Sequence, residues 1–162
     1  MGATIATDSA VGAKVVRKTV PDEKVGAMCL EDGRPSIVEY YEMTEELLNA
    51  RDEQGEPAYN FGVILNYLFR EKDLEEIVTK KLPLHLVEKK ISYLDENGRL
   101  VKPENPNGYK FEQLVLDMIH ELGSCLPYEV VRNYEFAPIK NRTGVDSVES
   151  ARKLCQENGI EL

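Results

Sequence analysis

Val25-Gly26-Ala27-Met28-Cys29-Leu30-Glu31-Asp32-Gly33-Arg34-Pro35-Ser36-Ile37-Val38-Glu39-Tyr40-Tyr41-Glu42 reads as strand, tight turn, strand. Asp32-Gly33 stands between two apolar runs, and glycine supplies the positive φ that favoured hairpin turns require. The second strand is apolar at Ile37 and Val38 and then presents a carboxylate and a phenol at Glu39 and Tyr40. Further on, Tyr59-Asn60-Phe61-Gly62 is another extended run, ending in a small residue that lets backbone approach a ligand closely.

On either side of the hairpin the pattern alternates. Residues 12–18 read as a strand, ended by Val20-Pro21-Asp22. Residues 44–51 suit a short helix with Thr44 as N-cap and acids in the first turn. A polar loop over 52–57 leads to an extended stretch at 58–62, and 64–69 read as a helical turn or two. Asp73 is expected to cap a helix carrying Leu74, Ile77 and Val78, with Lys80-Lys81 in its last turn and Pro83 beyond. Residues 84–101 read as irregular, with a second hairpin that turns at Glu96-Asn97-Gly98. Over 109–122, Phe111, Leu114, Val115, Met118, Ile119 and Leu122 recur at helical spacing, which predicts a helix ended by Gly123. That stripe is core packing and carries no chemistry. A strand at 128–132, a loop at 134–141 and a helix at 147–158 closed by Gly159 complete the chain. Strands interleaved with helices make an α/β domain.

The 162 residues suffice for one domain with its own core, and 42% hydrophobic and 30% charged residues are ordinary for a globular chain. No apolar run approaches bilayer length and no signal-peptide pattern opens the sequence, so no membrane partner is expected and the location reads as cytoplasmic. A net charge of −9 argues against nucleic-acid binding, which wants a basic surface, while leaving room for a local basic pocket. Cys29, Cys125 and Cys155 are odd in number, widely spaced and in apolar surroundings, and read as reduced, partly buried thiols. His85 and His120 have no partner at metal-ligand spacing and read as structural or solvated.

Seven groups of residues then occur in a telling order: Gly12-Ala13-Lys14-Val15-Val16-x-Lys18-Thr19-x-Pro21, Val25-Gly26, Val38-Glu39-Tyr40, Asn60-x-Gly62, Lys102-Pro103-x-x-Pro106-Asn107-Gly108-x-Lys110-x-Glu112, Tyr128-Glu129-Val130-x-Arg132 and Glu135-Phe136-x-Pro138-x-Lys140-Asn141. Each group alone is weak. In this order and spacing, over residues 12–141, they resemble the C-terminal part of the UDP-sugar pyrophosphorylases, nearest the UDP-N-acetylglucosamine pyrophosphorylase branch. The resemblance implies an α/β fold: the second part of a mixed, mostly parallel sheet of the nucleotide-diphospho-sugar transferase (Rossmann-like) type with β-hairpins. On that view residues 1–162 form a single partial domain, the sugar-phosphate-binding part of a uridylyltransferase fold. It also implies a reaction in which a sugar 1-phosphate attacks the α-phosphate of UTP, giving UDP-sugar and pyrophosphate with Mg²⁺ assistance. Positioning and charge stabilisation do most of the work in such transfers.

The residues carried over serve binding. Glu39 matches the acid that accepts hydrogen bonds from sugar hydroxyls, a task suited to an acceptor-only carboxylate, and Tyr40 stands beside it in the same wall. Taken alone, Glu39 reads as a solvent-facing residue of a hairpin. Gly26 matches a position where backbone lies against the sugar; alone it reads as a bulge glycine. Asn60 matches the first Asn of an Asn-x-Gly-Asn run, with Gly62 as its small residue; alone, Asn60 reads as a turn former. The pattern breaks at Val63, where the eukaryotic hexosamine enzymes have a second Asn that contacts the sugar, so glucose and galactose phosphates stay open beside N-acetylglucosamine phosphate. Lys140, the catalytic candidate, matches a lysine that reaches the phosphates and offsets developing negative charge. Lys110, near the start of the helix predicted at 109–122, would add positive charge at an anion site. These groups are expected to converge on one hexose phosphate, with the strand ends at Glu39 and Gly62 as its floor.

The family's N-terminal half carries a Gly-rich loop with an Arg that cradles UTP, and the acid that helps hold Mg²⁺. No Gly-Gly-x-Gly-Thr-Arg run occurs in the sequence. The expectation is therefore a part of a family chain lacking its nucleotide-binding half: inactive alone, without a protein ligand for Mg²⁺, and with an open sheet edge that attracts another copy or the other half. The rival reading is a non-catalytic sugar-nucleotide-binding or assembly module on the same scaffold. Nucleic-acid binding is disfavoured by charge and by the lack of a basic–aromatic stripe.

Overall fold

In the computed structural model, which describes residues 1–161, the chain runs α1 (Gly2–Ala6), β1 (Val11–Arg17), β2 (Ala27–Glu31), β3 (Arg34–Val38), α2 (Glu45–Asn49), β4 (Phe61–Phe69), α3 (Glu71–Ile77), β5 (His85–Lys89), β6 (Tyr93–Leu94), β7 (Leu100–Val101), β8 (Gly108–Glu112), α4 (Asp117–Leu122), β9 (Cys125–Glu129), α5 (Arg132–Glu135) and α6 (Val148–Glu157). Asp32 and Gly33 take φ of 50° and 78°, the pair of positive values that closes a two-residue hairpin between β2 and β3.

The main sheet has the order β3-β2-β4-β1-β9. Three of its ladders, β2–β3, β2–β4 and β1–β4, are antiparallel, and only β1–β9 is parallel. The expected mostly parallel sheet is thus corrected to a mostly antiparallel one. Parallel neighbours need long crossovers, usually helical. Here β2 and β3 are joined by a tight turn, and the short helix between β3 and β4, α2, lies in a connection that returns the chain antiparallel to β1 and β2. Strands β3 and β9 form the two outer edges.

Strand β4 replaces the extended stretch and helical turn expected over 58–69. Its residues pair with β1 from Arg17↔Phe61 to Val15↔Val63, and again from Ala13↔Tyr67 to Val11↔Phe69. Between these runs Ile64, Leu65 and Asn66 face Lys14 alone, a bulge in which Leu65 takes φ 57°. β-Branched and aromatic residues across from a buried strand override the weak helical spacing of a short apolar run.

The helix expected over 109–122 is also corrected. Residues Gly108–Glu112 form β8, paired antiparallel to β5 from Lys89↔Gly108 to His85↔Glu112, and only Asp117–Leu122 is helical. Phe111 and Val115 are 59% and 46% exposed, so the apparent stripe is not one buried face. The part that packs inward is Leu116 and Ile119, with Leu114 and Leu122 beside them. Gly123 does end α4, at φ 73°.

Other elements follow the expectations more closely. Thr44 Oγ1 accepts the N–H of Leu47 at 3.3 Å and caps α2. The α3 helix starts two residues before Asp73, which pairs with Arg70 in the first turn instead of capping. The second hairpin is present as β6–β7, with Asp95 Oδ1 accepting from the N–H groups of Asn97 and Arg99. Ser147 and Ser150 form a reciprocal cap on α6. Strand β9 begins at Cys125 and is set by its register with β1, after which 132–135 turn into α5. Val11, Ala13 and Val15 of β1 are fully buried with Ile119 from α4, and Met28, Ile37 and Val63 complete that core. All three cysteines are free and partly buried. Among the described residues no helix is long and apolar enough to cross a membrane.

Candidate functional site

One step beyond the Ala27↔Val38 pair, Gly26 and Glu39 meet across the hairpin. An added Cβ at Gly26 would stand 3.0 Å from Glu39 Oε1, 2.9 Å from Ile37 Cγ2 and 3.3 Å from Val63 Cγ2, so only a glycine lets the backbone pass beneath the carboxylate. The carbonyl of Gly26 accepts the N–H of Val63 at 2.9 Å, which ties this point to β4. A cavity of about 430 Å³ opens here. Its walls are Gly26, Glu39 and Tyr40 from the hairpin, the β4 bulge with Val63 and Leu65, and the segment from Phe136 to Lys140.

That last segment is held over the cavity by polar contacts at the far end of β1. Arg132 is paired with Glu23, donates to the carbonyl of Arg17 at 3.1 Å, and lies over the Phe136 ring at 5.2 Å. The backbone N–H groups of Lys140 and Asn141 both donate to the carbonyl of Asp146, at 2.7 and 2.9 Å. Lys140 Nζ donates to the carbonyl of Lys24 at 3.2 Å. The ammonium and the Glu39 carboxylate thus line one cavity, although they come from distant parts of the chain.

Burial pushes the Glu39 carboxyl above its usual range, Glu42 adds to this, and His85 and Lys140 act in the opposite direction. Tyr41, edge-on to Tyr40 with ring centroids 5.2 Å apart, is pushed up to about 12 by burial and then by Glu39 and its neighbouring carboxylates. Glu39 thus stands in the wall as a half-buried carboxyl with Glu42 and the Tyr41 phenol near it. A second cavity of about 420 Å³ lies under α1 beside Gly12, Lys14 and Tyr128, but no carboxylate lines it.

Of the residues singled out from sequence, Gly26, Glu39, Tyr40 and Lys140 line the first cavity. Asn60 and Gly62 do not. The Asn60 carbonyl accepts the N–H of Lys18 at 2.9 Å, and Gly62 packs against Val25, Lys18 and the carbonyl of Val16. Lys110 lies on β8, not at a helix start, and its ammonium is 2.6 Å from Glu112 Oε2, outside the cavity. Phe136 and Pro138 line the cavity without having been singled out, though both sit inside the motif that contains Lys140. Leu65 reaches it through a bulge that no local pattern announces. His85, read as structural or solvated, is largely buried and lies between two carboxylates, Glu42 and Asp117. Those partners stand 43 and 32 residues away in sequence, so spacing carried no signal.

Among the described residues no group of three or more His, Cys, Asp or Glu side chains converges as a metal site. Glu42 and Asp117, acids near the cavity, already face the ring nitrogens of His85. The described residues therefore do not fit the Mg²⁺ that the resemblance implies.

Comparison with known proteins bears on this geometry. The family model described as UTP–glucose-1-phosphate uridylyltransferase matches residues 1–160. A human protein, UDP-N-acetylhexosamine pyrophosphorylase-like protein 1, is 41% identical over 138 residues, covering 83% of this chain and 27% of its own length. The UDP-N-acetylglucosamine pyrophosphorylase of Saccharomyces cerevisiae is 34% identical over 151 residues, covering 86% of this chain and 31% of its own. A solved structure from Entamoeba histolytica, assigned by name as a UDP-N-acetylglucosamine pyrophosphorylase, superposes with a TM-score of 0.81 at 30% identity, covering 96% of this chain and 39% of that one. The uridine diphosphate N-acetylglucosamine pyrophosphorylase of Trypanosoma brucei, solved with an inhibitor, gives 0.73 at 25% identity over 96% of this chain and 31% of that one. The chain thus spans about a third or less of the curated relatives it matches. The family match over residues 1–160 extends beyond the motifs at 12–141 and overturns the expectation of a C-terminal part defined by a missing nucleotide-binding half.

Proposed function

The chain belongs to the UTP–glucose-1-phosphate uridylyltransferase family, and we propose that its cavity between Glu39 and Lys140 binds the sugar-phosphate portion of the reactants in uridylyl transfer between UTP and a sugar 1-phosphate. The observation that carries this reading is the shared cavity: an acceptor-only carboxylate and an ammonium face the same space from segments far apart in sequence. A hexose phosphate presents the matching chemistry, hydroxyl donors at one end and an anion at the other.

Each residue has a separate part. Glu39 accepts hydrogen bonds from sugar hydroxyls, and its half-buried setting strengthens them. Gly26 lets the strand pass close beneath the Glu39 carboxylate and contributes backbone to the cavity wall. Tyr40 forms the side wall. Lys140 meets the phosphates, where a compact positive charge offsets the negative charge that develops during transfer. Val63 lines the same cavity with methyl groups and has no donor or acceptor to offer a 2-acetamido group. The substrate class is therefore sugar 1-phosphates, with N-acetylglucosamine 1-phosphate and hexose 1-phosphates distinguished by shape more than by a hydrogen bond at position 63.

Isothermal titration of the purified chain with UDP-N-acetylglucosamine, UDP-glucose and glucose 1-phosphate tests this. Binding is expected to weaken about tenfold or more in Glu39→Gln and in Lys140→Met, the loss that follows when a hydrogen bond to a charged group is removed. Lys140→Met should weaken all three ligands, since each carries phosphate, and leave the heat of the phosphate-free sugar unchanged. No heat with any of the three at millimolar concentration, or unchanged affinity in both variants, would sink the reading.

A further inference from the structure

His85, Glu42 and Asp117 take no part in the cavity wall, yet they join three separate elements. His85 projects from β5 with its side chain 12% exposed. Its Nδ1 lies 3.0 Å from Glu42 Oε1, and its Nε2 lies 3.1 Å from both oxygens of Asp117 at the start of α4. Ionised carboxylates only accept hydrogen bonds, so a ring placed between two of them serves both only when each nitrogen carries a proton. The contacts continue past the ring. The second oxygen of Glu42 accepts the backbone N–H of Glu39 at 3.3 Å, and the N–H of Glu42 donates to the carbonyl of Glu39 at 2.9 Å. On the other side, Asp117 Oδ2 also accepts the N–H of Leu114 at 3.4 Å. An unbroken chain of polar contacts therefore runs from α4, through β5, to the backbone of the residue that faces the cavity.

We infer that His85 is a positioning residue for the cavity: held as an imidazolium between Asp117 and Glu42, it fixes the Glu39 backbone so that the Glu39 carboxylate stays over Gly26. What that carboxylate binds rests on the function proposed above; the positioning itself does not. Charged groups surround the ring on every packed side. Glu42 approaches from the segment after β3 and Asp117 from α4, with Glu39 close enough to feel the ring's charge. Glu112 stands directly across the β5–β8 ladder and is itself paired with Lys110, with Lys89 acting on it from β5. Burial of the ring opposes its charge, but the hydrogen bonds to Asp117 and Glu42 outweigh this and raise its pKa above the ordinary imidazole value. When the ring loses a proton, one nitrogen lone pair must face a carboxylate oxygen, and the link to Glu39 loosens.

The test is nuclear magnetic resonance of the full chain from about pH 5 to about pH 9, which spans the ordinary imidazole range near 6.5. His120→Gln assigns the two histidine rings. The expected result is a His85 ring that stays doubly protonated above the ordinary range, with the Glu39 backbone amide shifting at the same midpoint. In Glu42→Gln the Glu39 amide should lose that shift while the His85 midpoint falls, and His85→Gln should abolish the shift altogether. A purely structural histidine would not couple to the Glu39 amide. A His85 ring that titrates at or below the ordinary value, or a Glu39 amide indifferent to it, overturns the inference. Neither resonance measurement needs a ligand, so failure here is distinct from failure of the binding reading, which shows as absent heat at every pH. Where UDP-N-acetylglucosamine does bind, its affinity should fall about tenfold as pH rises through the His85 midpoint, the equivalent of one hydrogen bond to a charged group. A flat profile in the unmodified chain counts against the inference.

Discussion

A methyl group at position 26 has nowhere to go. In Gly26→Ala the new Cβ would sit 2.9 Å from Ile37 Cγ2 and 3.3 Å from Val63 Cγ2, whereas carbon atoms in favourable contact stand about 3.5–4.0 Å apart. Ile37 and Val63 are 7% and 4% exposed and belong to the main core cluster, so neither can retreat without disturbing Met28 and Ile119. Overpacking of this kind costs about 1–3 kcal/mol. The backbone at Gly26 is not in the left-handed region, so alanine also restricts the unfolded chain and returns about 0.4–1 kcal/mol. The net expectation is a loss of roughly 1–2 kcal/mol, which lowers a urea midpoint by about 0.5–1 M for a slope of about 2 kcal/mol/M. The sequence has no tryptophan, so the unfolding curve is best followed by far-ultraviolet circular dichroism and tyrosine fluorescence together. An unchanged or higher midpoint at the same slope would refute the close packing of Gly26 beneath Glu39.

Leu65→Gly should be tolerated despite losing a large side chain: Leu65 is 69% exposed and holds φ 57°, a conformation that costs an L-residue about 1–2 kcal/mol. Its midpoint in the same urea assay is expected to stay level or rise slightly, and a fall beyond about 1 kcal/mol would contradict the strained bulge, because glycine's entropic penalty is about 0.5–1 kcal/mol. Two groups shape the pH dependence of stability with opposite signs. Burial opposes the charge of Glu23, but the hydrogen bonds from Arg132 and Thr19 prevail and hold its pKa below the unfolded value of 4.5. Its contribution is present above that value and lost as pH falls through the folded one, so Arg132→Met should flatten the acid limb of midpoint against pH. His85, raised above 6.5, contributes fully below that value and loses its contribution as pH rises through the folded one, so His85→Gln should flatten the alkaline limb. A variant whose limb keeps its full slope would contradict the assignment.

The elements legible in the sequence were those decided by neighbours in the chain. The Asp32-Gly33 turn, the Thr44 cap, the turn at Glu96-Asn97-Gly98 and the C-terminal helix all depend on contacts within a few residues. The misread elements depend on distant partners. Residues 61–69 extend because β1 lies alongside them, and 108–112 extend because β5 does, whatever their helical spacing. The sheet's antiparallel character likewise follows from which strand returns beside which, and apolar runs alone do not encode that. At the cavity, Glu39 and Lys140 could be singled out only through their motifs, since no spacing links residues so far apart. Leu65 escaped notice because it depends on a bulge, and the carboxylate partners of His85 could not be read because they come from other segments.

Strand β9 reaches β1 only after the rest of the sheet has been threaded. The bond from the Ala10 N–H to Ser124 Oγ at the mouth of their ladder joins residues 114 apart, whereas β2 and β3 are joined by a two-residue turn. Closing the longer span is dearer in chain entropy by roughly 3 kcal/mol on a logarithmic loop law. On this accounting assembly is expected to start in the 27–38 ribbon and to finish when the parallel edge docks. Substitutions along β9 that weaken the ladder should hasten unfolding in stopped-flow traces and leave the refolding rate nearly untouched, while those in the ribbon should slow refolding.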